Sequence, residues 1–132
     1  MTYRILVAED DPSILISIEF LLKNAGYAIT AADNGTQAWG ALLEQAYDLV
    51  VLDVMLPAID GLELCKRIRA ADSLKTTKIL MLSARGRDTE IEAGLRLGAD
   101  AYMTKPFGTR EFLESVARLL ASARDSRRVE GI

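Results

Sequence analysis

The stretch "LVVLDVMLPAIDG", residues 49 to 61, runs four apolar β-formers into a single carboxylate, Asp53, and Pro57 then interrupts the chain before regular structure can resume. An apolar run with no polar alternation is the pattern of a strand covered on both faces, as strands are in a parallel sheet. A charge at the end of such a strand has to be accounted for.

The same pattern recurs on either side. "RILVA" (4 to 8) precedes "EDDP", in which Asp11 suits a helix cap and Pro12 a first helical turn. Ile14, Ile18, Leu21, Leu22 and Ala25 then fall at helical spacing, and Gly26 is a stop signal. "YAITAA" (27 to 32) reads as a strand and "DNG" as a turn, followed by a helix through Ala38, Leu42 and Leu43. After the proline loop a helix is predicted from about Leu62 through Leu64, Cys65 and Ile68, then a strand "KILMLSA" (78 to 84). "RGRD" leads into a helix through Ile91 and Leu95, "GAD" breaks it, and "AYMT" is a short strand. After "KPFGT", a last helix runs through Phe112, Val116, Leu119 and Leu120. Strand and helix alternate throughout, which predicts an α/β fold: a doubly wound parallel sheet with helices on both faces.

With 132 residues, half of them hydrophobic, the chain has the size of one domain with one core. Its net charge of −3 makes no broad case for binding nucleic acid or an anionic membrane. No apolar stretch approaches the roughly 20 residues of a membrane span, and "MTYRILVAEDD" reaches acidic residues too early for a secretory signal, so a cytoplasmic location is expected. The one cysteine, Cys65, has no internal disulfide partner and reads as a small buried hydrophobe. The chain has no histidine. That excludes Ser-His-Asp and Cys-His catalysis, histidine-ligated zinc and a phosphohistidine on this chain. Carboxylates, hydroxyls and lysine must carry any chemistry.

Open parallel sheets bind ligands beyond the carboxyl ends of their strands, where the winding reverses. Here those ends are polar: Glu9, Asp10 and Asp11 after the first strand, Asp53 on the third, Ser83 on the fourth, Thr104 and Lys105 on the fifth. Taken singly, each has a plainer reading: Glu9 to Asp11 as an acidic helix start, Ser83 and Lys105 as capping or surface residues, Tyr102 as core or partner-facing surface. Their convergence favours a site. Glu9, Asp10 and Asp53 brought together would repel unless a cation lay among them, and an all-oxygen set suits a hard ion such as Mg²⁺. Lysine and serine add a charge and a donor for phosphoryl oxygens, completing a site for phosphoryl transfer onto aspartate.

The set "VAEDD", "LDVMLPAIDG", "LSA" and "GADAYMTKPF" resembles the receiver domain of bacterial two-component response regulators, from about Arg4 to Ala121. The resemblance implies a flavodoxin-like sheet of order 2-1-3-4-5 and Asp53 as phosphoacceptor. It implies Asp10 as a direct Mg²⁺ ligand, Glu9 in support through water, and Met55 contributing its backbone carbonyl. Lys105 would pair with the phosphoryl group, ahead of a cis peptide to Pro106, and Ser83 and Tyr102 match the family's switch pair. A histidine kinase or histidine phosphotransfer protein is the implied donor, and an output domain or protein the implied reader. The chain would be a signalling phosphoacceptor that promotes only its own phosphorylation and dephosphorylation, and Met55 and Arg85 would flank the site and influence the lifetime of the phosphoryl group.

Two rivals fail on particular residues. Phosphatases of the haloacid-dehalogenase type need a second aspartate two residues after the nucleophile, where this chain has Met55, and "EDDP" would repel the phosphate of a flavodoxin-like flavin carrier. A non-phosphorylated interaction module of the same fold stays as the alternative, opposed by Asp10, Asp53 and Lys105. Glu111 and Asp100 match a charged dimer surface common among winged-helix regulators, whereas Ile91, Ala101 and Ser115 do not, leaving a monomer or a phosphorylation-dependent homodimer. Residues 1–122 are expected to form the receiver domain. The tail "SARDSRRVEGI" reads as the frayed end of a stand-alone receiver or the start of a linker, with Arg124, Arg127 and Arg128 complementing the helix C-terminus.

Overall fold

A computed structural model of the chain describes residues 2–84 and 88–130, with side chains through 122. Its elements are β1 (Arg4–Ala8), α1 (Pro12–Asn24), β2 (Ala28–Ala32), α2 (Gly35–Glu44), β3 (Leu49–Asp53), α3 (Gly61–Ala70), a 3-10 turn (Asp72–Leu74), β4 (Lys78–Ala84), α4 (Asp88–Leu97), β5 (Ala101–Lys105) and α5 (Thr109–Glu130). The five strands form one parallel sheet in the order β2-β1-β3-β4-β5. Winding reverses between β1 and β3, so the loops that follow these two strands part and leave a crevice at their carboxyl ends.

Burial follows from position in the sheet. All of β3 is buried, as are four of the five residues of β1, while the edge strands β2 and β5 are only partly covered. Ile5, Val7, Leu49, Val51, Leu80 and Leu82 face α1 and α5, whose Ile18, Leu22, Phe112, Val116 and Leu120 close that core. Leu6, Val50, Leu52, Ile79 and Met81 face the other way, against Ala38, Leu42, Leu64 and Ile68 of α2 and α3. Side chains of opposite parity along each strand thus serve opposite cores, the consequence of a two-residue repeat in a sheet covered twice.

Two helices pack differently from their sequence pattern. Leu43 is 65% exposed and Leu95 42% exposed, although both stand at apolar positions of their predicted helices. In α4 the buried residue is Gly94, where a side chain would run into the Met81 thioether. The helix therefore approaches β4 by its backbone, and Leu95 is turned outward. Cys65 is buried as expected, and burial pushes its thiol pKa up. Asn34 proves to be the N-cap of α2 rather than part of a free turn, accepting the Gln37 amide at 2.8 Å.

Away from the crevice, Arg69 of α3 holds the start of β5. Its guanidinium reaches the carbonyls of Gly98, Lys75 and Thr77 and pairs with Asp100 at 2.7 Å, while Asp100 also accepts the Ile79 amide at 2.8 Å. Asp100 is thus engaged within the chain. The α5 backbone continues to Glu130, beyond the expected boundary at 122; Arg85 and the side chains of Arg124, Arg127 and Arg128 lie outside the described residues. No helix among the described residues is long and apolar enough to cross a membrane.

Candidate functional site

Three strands deliver the polar cluster. Glu9 and Asp10 follow β1, Asp53 closes β3 and Lys105 closes β5. Asp11 is spent on α1, accepting the amides of Ser13 at 3.0 Å and Ile14 at 3.4 Å, and these bonds together with the Ser13 hydroxyl hold its carboxyl below the usual range. That cap starts the helix immediately after Asp10 and leaves Asp10 exposed at the crevice.

Carboxylate oxygens of Glu9, Asp10 and Asp53 all lie within 4.8 Å of one another. Glu9 is fully buried and Asp53 is 4% exposed. The Lys105 ammonium stands 2.6 Å from Glu9 Oε1 and 3.3 Å from Asp53 Oδ2. The other oxygens are held by backbone: the Asp11 amide donates to Glu9 Oε2 at 3.1 Å, and the Met55 amide to Asp53 Oδ1 at 3.2 Å. The Lys105–Pro106 peptide bond is cis.

Electrostatics follow from this crowding. Burial pushes the Glu9 carboxyl up to about 7, with the Asp53 charge adding to the push and the Lys105 and Asp11 hydrogen bonds opposing it. Burial works to lower Lys105, but the bond to Glu9 and the charge of Asp53 outweigh it and leave the ammonium pKa raised. Among the described residues Lys105 is the cation at the cluster, set against three carboxylates. The donor set is all oxygen and could hold a metal, and its chemistry fits a hard divalent ion.

A pH dependence follows. The Glu9 carboxyl ordinarily titrates near 4.5 and in the fold near 7, so between these values the folded state holds a proton that the unfolded state has lost. Stability therefore falls as pH rises across that window, by up to about 3 kcal/mol, and levels off above it. A divalent cation favours the ionised form, so Mg²⁺ should raise the melting temperature more at about pH 8 than at about pH 5.5. Thermal melts with and without Mg²⁺ at both values check this, and an equal shift at both would mean that Glu9 does not titrate in the window.

Ser83 and Tyr102 are not drawn into the cluster. Ser83 is buried at the end of β4, and its hydroxyl donates to the Ala84 carbonyl at a long 3.4 Å. Tyr102, paired with Met81 across β4 and β5, is 47% exposed. The Met55 side chain is exposed, while its backbone lies against Asp53. Sequence reasoning missed Gly35 and Gly61. The Gly61 amide donates to Val54 O at 2.9 Å and the Gly35 amide to Pro57 O at 2.9 Å, so both pin the loop that follows Asp53. Their only signal in sequence was a glycine at the start of a helix, which reads there as turn punctuation.

Comparison with known proteins gives a consistent picture. The family model described as response regulator receiver domain matches residues 5–117. The chain is 41% identical over 120 residues to the alkaline phosphatase synthesis transcriptional regulatory protein PhoP of Bacillus subtilis, covering 91% of this chain and 49% of that protein. It is 40% identical over 120 residues to the transcriptional regulatory protein ResD of the same organism, with the same coverage of each. It thus spans about half the length of these curated relatives. Among solved structures, the receiver domain of Francisella response regulator 1452 superposes with a TM-score of 0.84 at 32% identity, covering 92% of this chain and 98% of that one.

Proposed function

The chain belongs to the response regulator receiver domain family, a family of two-component signalling proteins, and from that premise we propose that Asp53 accepts a phosphoryl group in a Mg²⁺-dependent reaction. The observation that carries the reading is the convergence of Glu9, Asp10, Asp53 and Lys105 at the carboxyl ends of three strands. A carboxylate oxygen of Asp53 forms the new O–P bond as the P–N bond of the donor phosphohistidine breaks, the leaving nitrogen keeping the electron pair. These 132 residues contain no histidine, so the donor phosphohistidine lies outside them, on a histidine kinase or a histidine phosphotransfer protein. Asp10, Asp53 and the Met55 carbonyl would hold Mg²⁺, with Glu9 in support; when bound, the ion supplies positive charge for the phosphoryl oxygens. Lys105 leaves Glu9 to pair with the phosphoryl group, and the Met55 amide orients Asp53. No other substrate is turned over. Residues 1–122 form the receiver and 123–132 a tail or the start of a linker, acting in the cytoplasm on an output domain or protein, as a monomer or as a homodimer formed on phosphorylation.

The test is chemical. Incubated with acetyl phosphate and Mg²⁺, the protein gains one phosphoryl group that is stable in acid and labile in base. A protein that gains none under these conditions is an interaction module of receiver fold and not a phosphoacceptor.

The phosphoryl group adds about −1.5 to −2 charges and three acceptor oxygens. The loosely held Ser83 hydroxyl turns to it, and Tyr102 turns inward from β5, altering the surface formed by α4 and β5. Ser83→Ala should therefore accept phosphate yet respond far less at that surface. Amide chemical shifts around Ile91 and Tyr102 on adding beryllofluoride measure the response, and equal shifts in variant and wild type would take Ser83 out of the coupling.

A further inference from the structure

The loop between Asp53 and α3 lies across the start of α2. The Gly35 amide, which heads α2 and has no partner within its own helix, donates to Pro57 O at 2.9 Å. Gly35 is buried, and a Cβ there would fall on the backbone carbonyl of Ile59. Its backbone is outside the left-handed region, so glycine is required here for room and not for conformation. Between Pro57 and Ile59, the two residues that meet Gly35, Ala58 stands in the left-handed region at φ 72°. On the strand side, Val54 donates to Leu82 O at 3.0 Å and Met55 donates to Asp53 Oδ1 at 3.2 Å. The Met55 carbonyl therefore lies between two anchors, its own amide on Asp53 and Pro57 on α2.

We propose that Gly35 is a positioning residue for the metal: by letting the β3–α3 loop rest directly on α2, it sets where the Met55 carbonyl stands relative to the Asp53 carboxylate. This rests on the reading above, in which that carbonyl is a Mg²⁺ ligand. Gly35 has no side chain to offer as a ligand, and the loop residues it meets are Pro57 and Ile59. It acts through the loop. Outer groups that orient metal ligands are worth about 10- to 100-fold in affinity.

The matched control lies in the same helix. A Cβ at Gly40 would meet nothing within 4 Å, so Gly35→Ala and Gly40→Ala make the same chemical change with and without a collision. Titrated with Mg²⁺ alone by calorimetry, Gly35→Ala should bind about tenfold more weakly than wild type, and Gly40→Ala as tightly as wild type. Circular dichroism of the two variants without metal tests whether both fold. Equal Mg²⁺ affinity in wild type and folded Gly35→Ala overturns the proposal, because a merely structural glycine would change stability and leave affinity alone. A second measurement needs no variant: in wild type, the Gly35 amide shift should move on adding Mg²⁺ with the same midpoint as the Met55 amide. A Gly35 amide that stays still while Met55 moves overturns the proposal even if Gly35→Ala does not fold. Wild type that binds no Mg²⁺ at all would instead sink the metal-site reading on which the proposal rests.

Discussion

Replacing Asp53 with asparagine should abolish phosphate uptake from acetyl phosphate and Mg²⁺, a loss of at least ~10³ in rate, while the fold persists. An amide has no anionic oxygen to attack phosphorus, and no neighbour replaces it. Glu9 is fully buried and engaged by Lys105 and the Asp11 amide, Asp11 is engaged by α1, and the exposed Asp10 is the carboxylate that would hold Mg²⁺ in the proposed reading. Asparagine keeps the shape of the side chain and an oxygen to accept the Met55 amide now bound to Asp53 Oδ1. It also removes one negative charge beside Glu9, so the melting temperature without metal should hold or rise. Mass spectrometry of the intact protein reads the uptake, and a melt read by circular dichroism reads the fold. Phosphate uptake at the wild-type rate would move the acceptor elsewhere, and an unfolded variant would make Asp53 structural.

Lys105→Met should lower stability by about 3 kcal/mol near pH 8 without metal, and by clearly less near pH 5.5. The substitution keeps an aliphatic stem and removes only the charge. Glu9, with no exposed side-chain surface, and Asp53, with 5%, then face each other without the ammonium that stands 2.6 Å and 3.3 Å from them. At low pH, Glu9 escapes the cost by taking a proton, which its titration near 7 already makes easy. The sign is set by the raised carboxyl: the variant loses stability as pH rises, and more steeply than wild type. Mg²⁺ should recover more stability in the variant than in wild type, since it enters a cluster from which its competitor has been removed. Urea unfolding at the two pH values with and without Mg²⁺ measures all four terms. A loss independent of both pH and Mg²⁺ would mean that Lys105 contributes packing and not charge.

How legible the molecule was in its sequence depends on the range of each interaction. β1 and β4 begin and end where the apolar runs do, and α1 begins at its Asp11 cap, because burial pattern and capping are encoded within a few neighbouring residues. Asp53, with apolar neighbours on its strand and no cap to form, stood out for the same reason. Leu43 and Leu95 did not follow their periodicity, since the face a helix buries is settled by what it meets. For α4 that was the Met81 thioether against the bare backbone of Gly94, and nothing near Gly94 in the chain announces it.

The order of the elements, the two-sided burial of the inner strands and the gathering of Glu9, Asp10, Asp53 and Lys105 at one sheet edge were determined by the sequence alone. They follow from alternating periodicities and from the rule that a parallel sheet places all its carboxyl ends together. Tertiary structure alone decided which partner each of those groups takes. It put Lys105 closer to Glu9 than to Asp53, tied Asp100 to Arg69, left Ser83 on a long bond to Ala84 and laid the Asp53 loop on Gly35. Apart from the Ser83 bond to its chain neighbour, these are distances between segments remote in the chain, set by strand register and helix seating, and residue pattern carries no such distances.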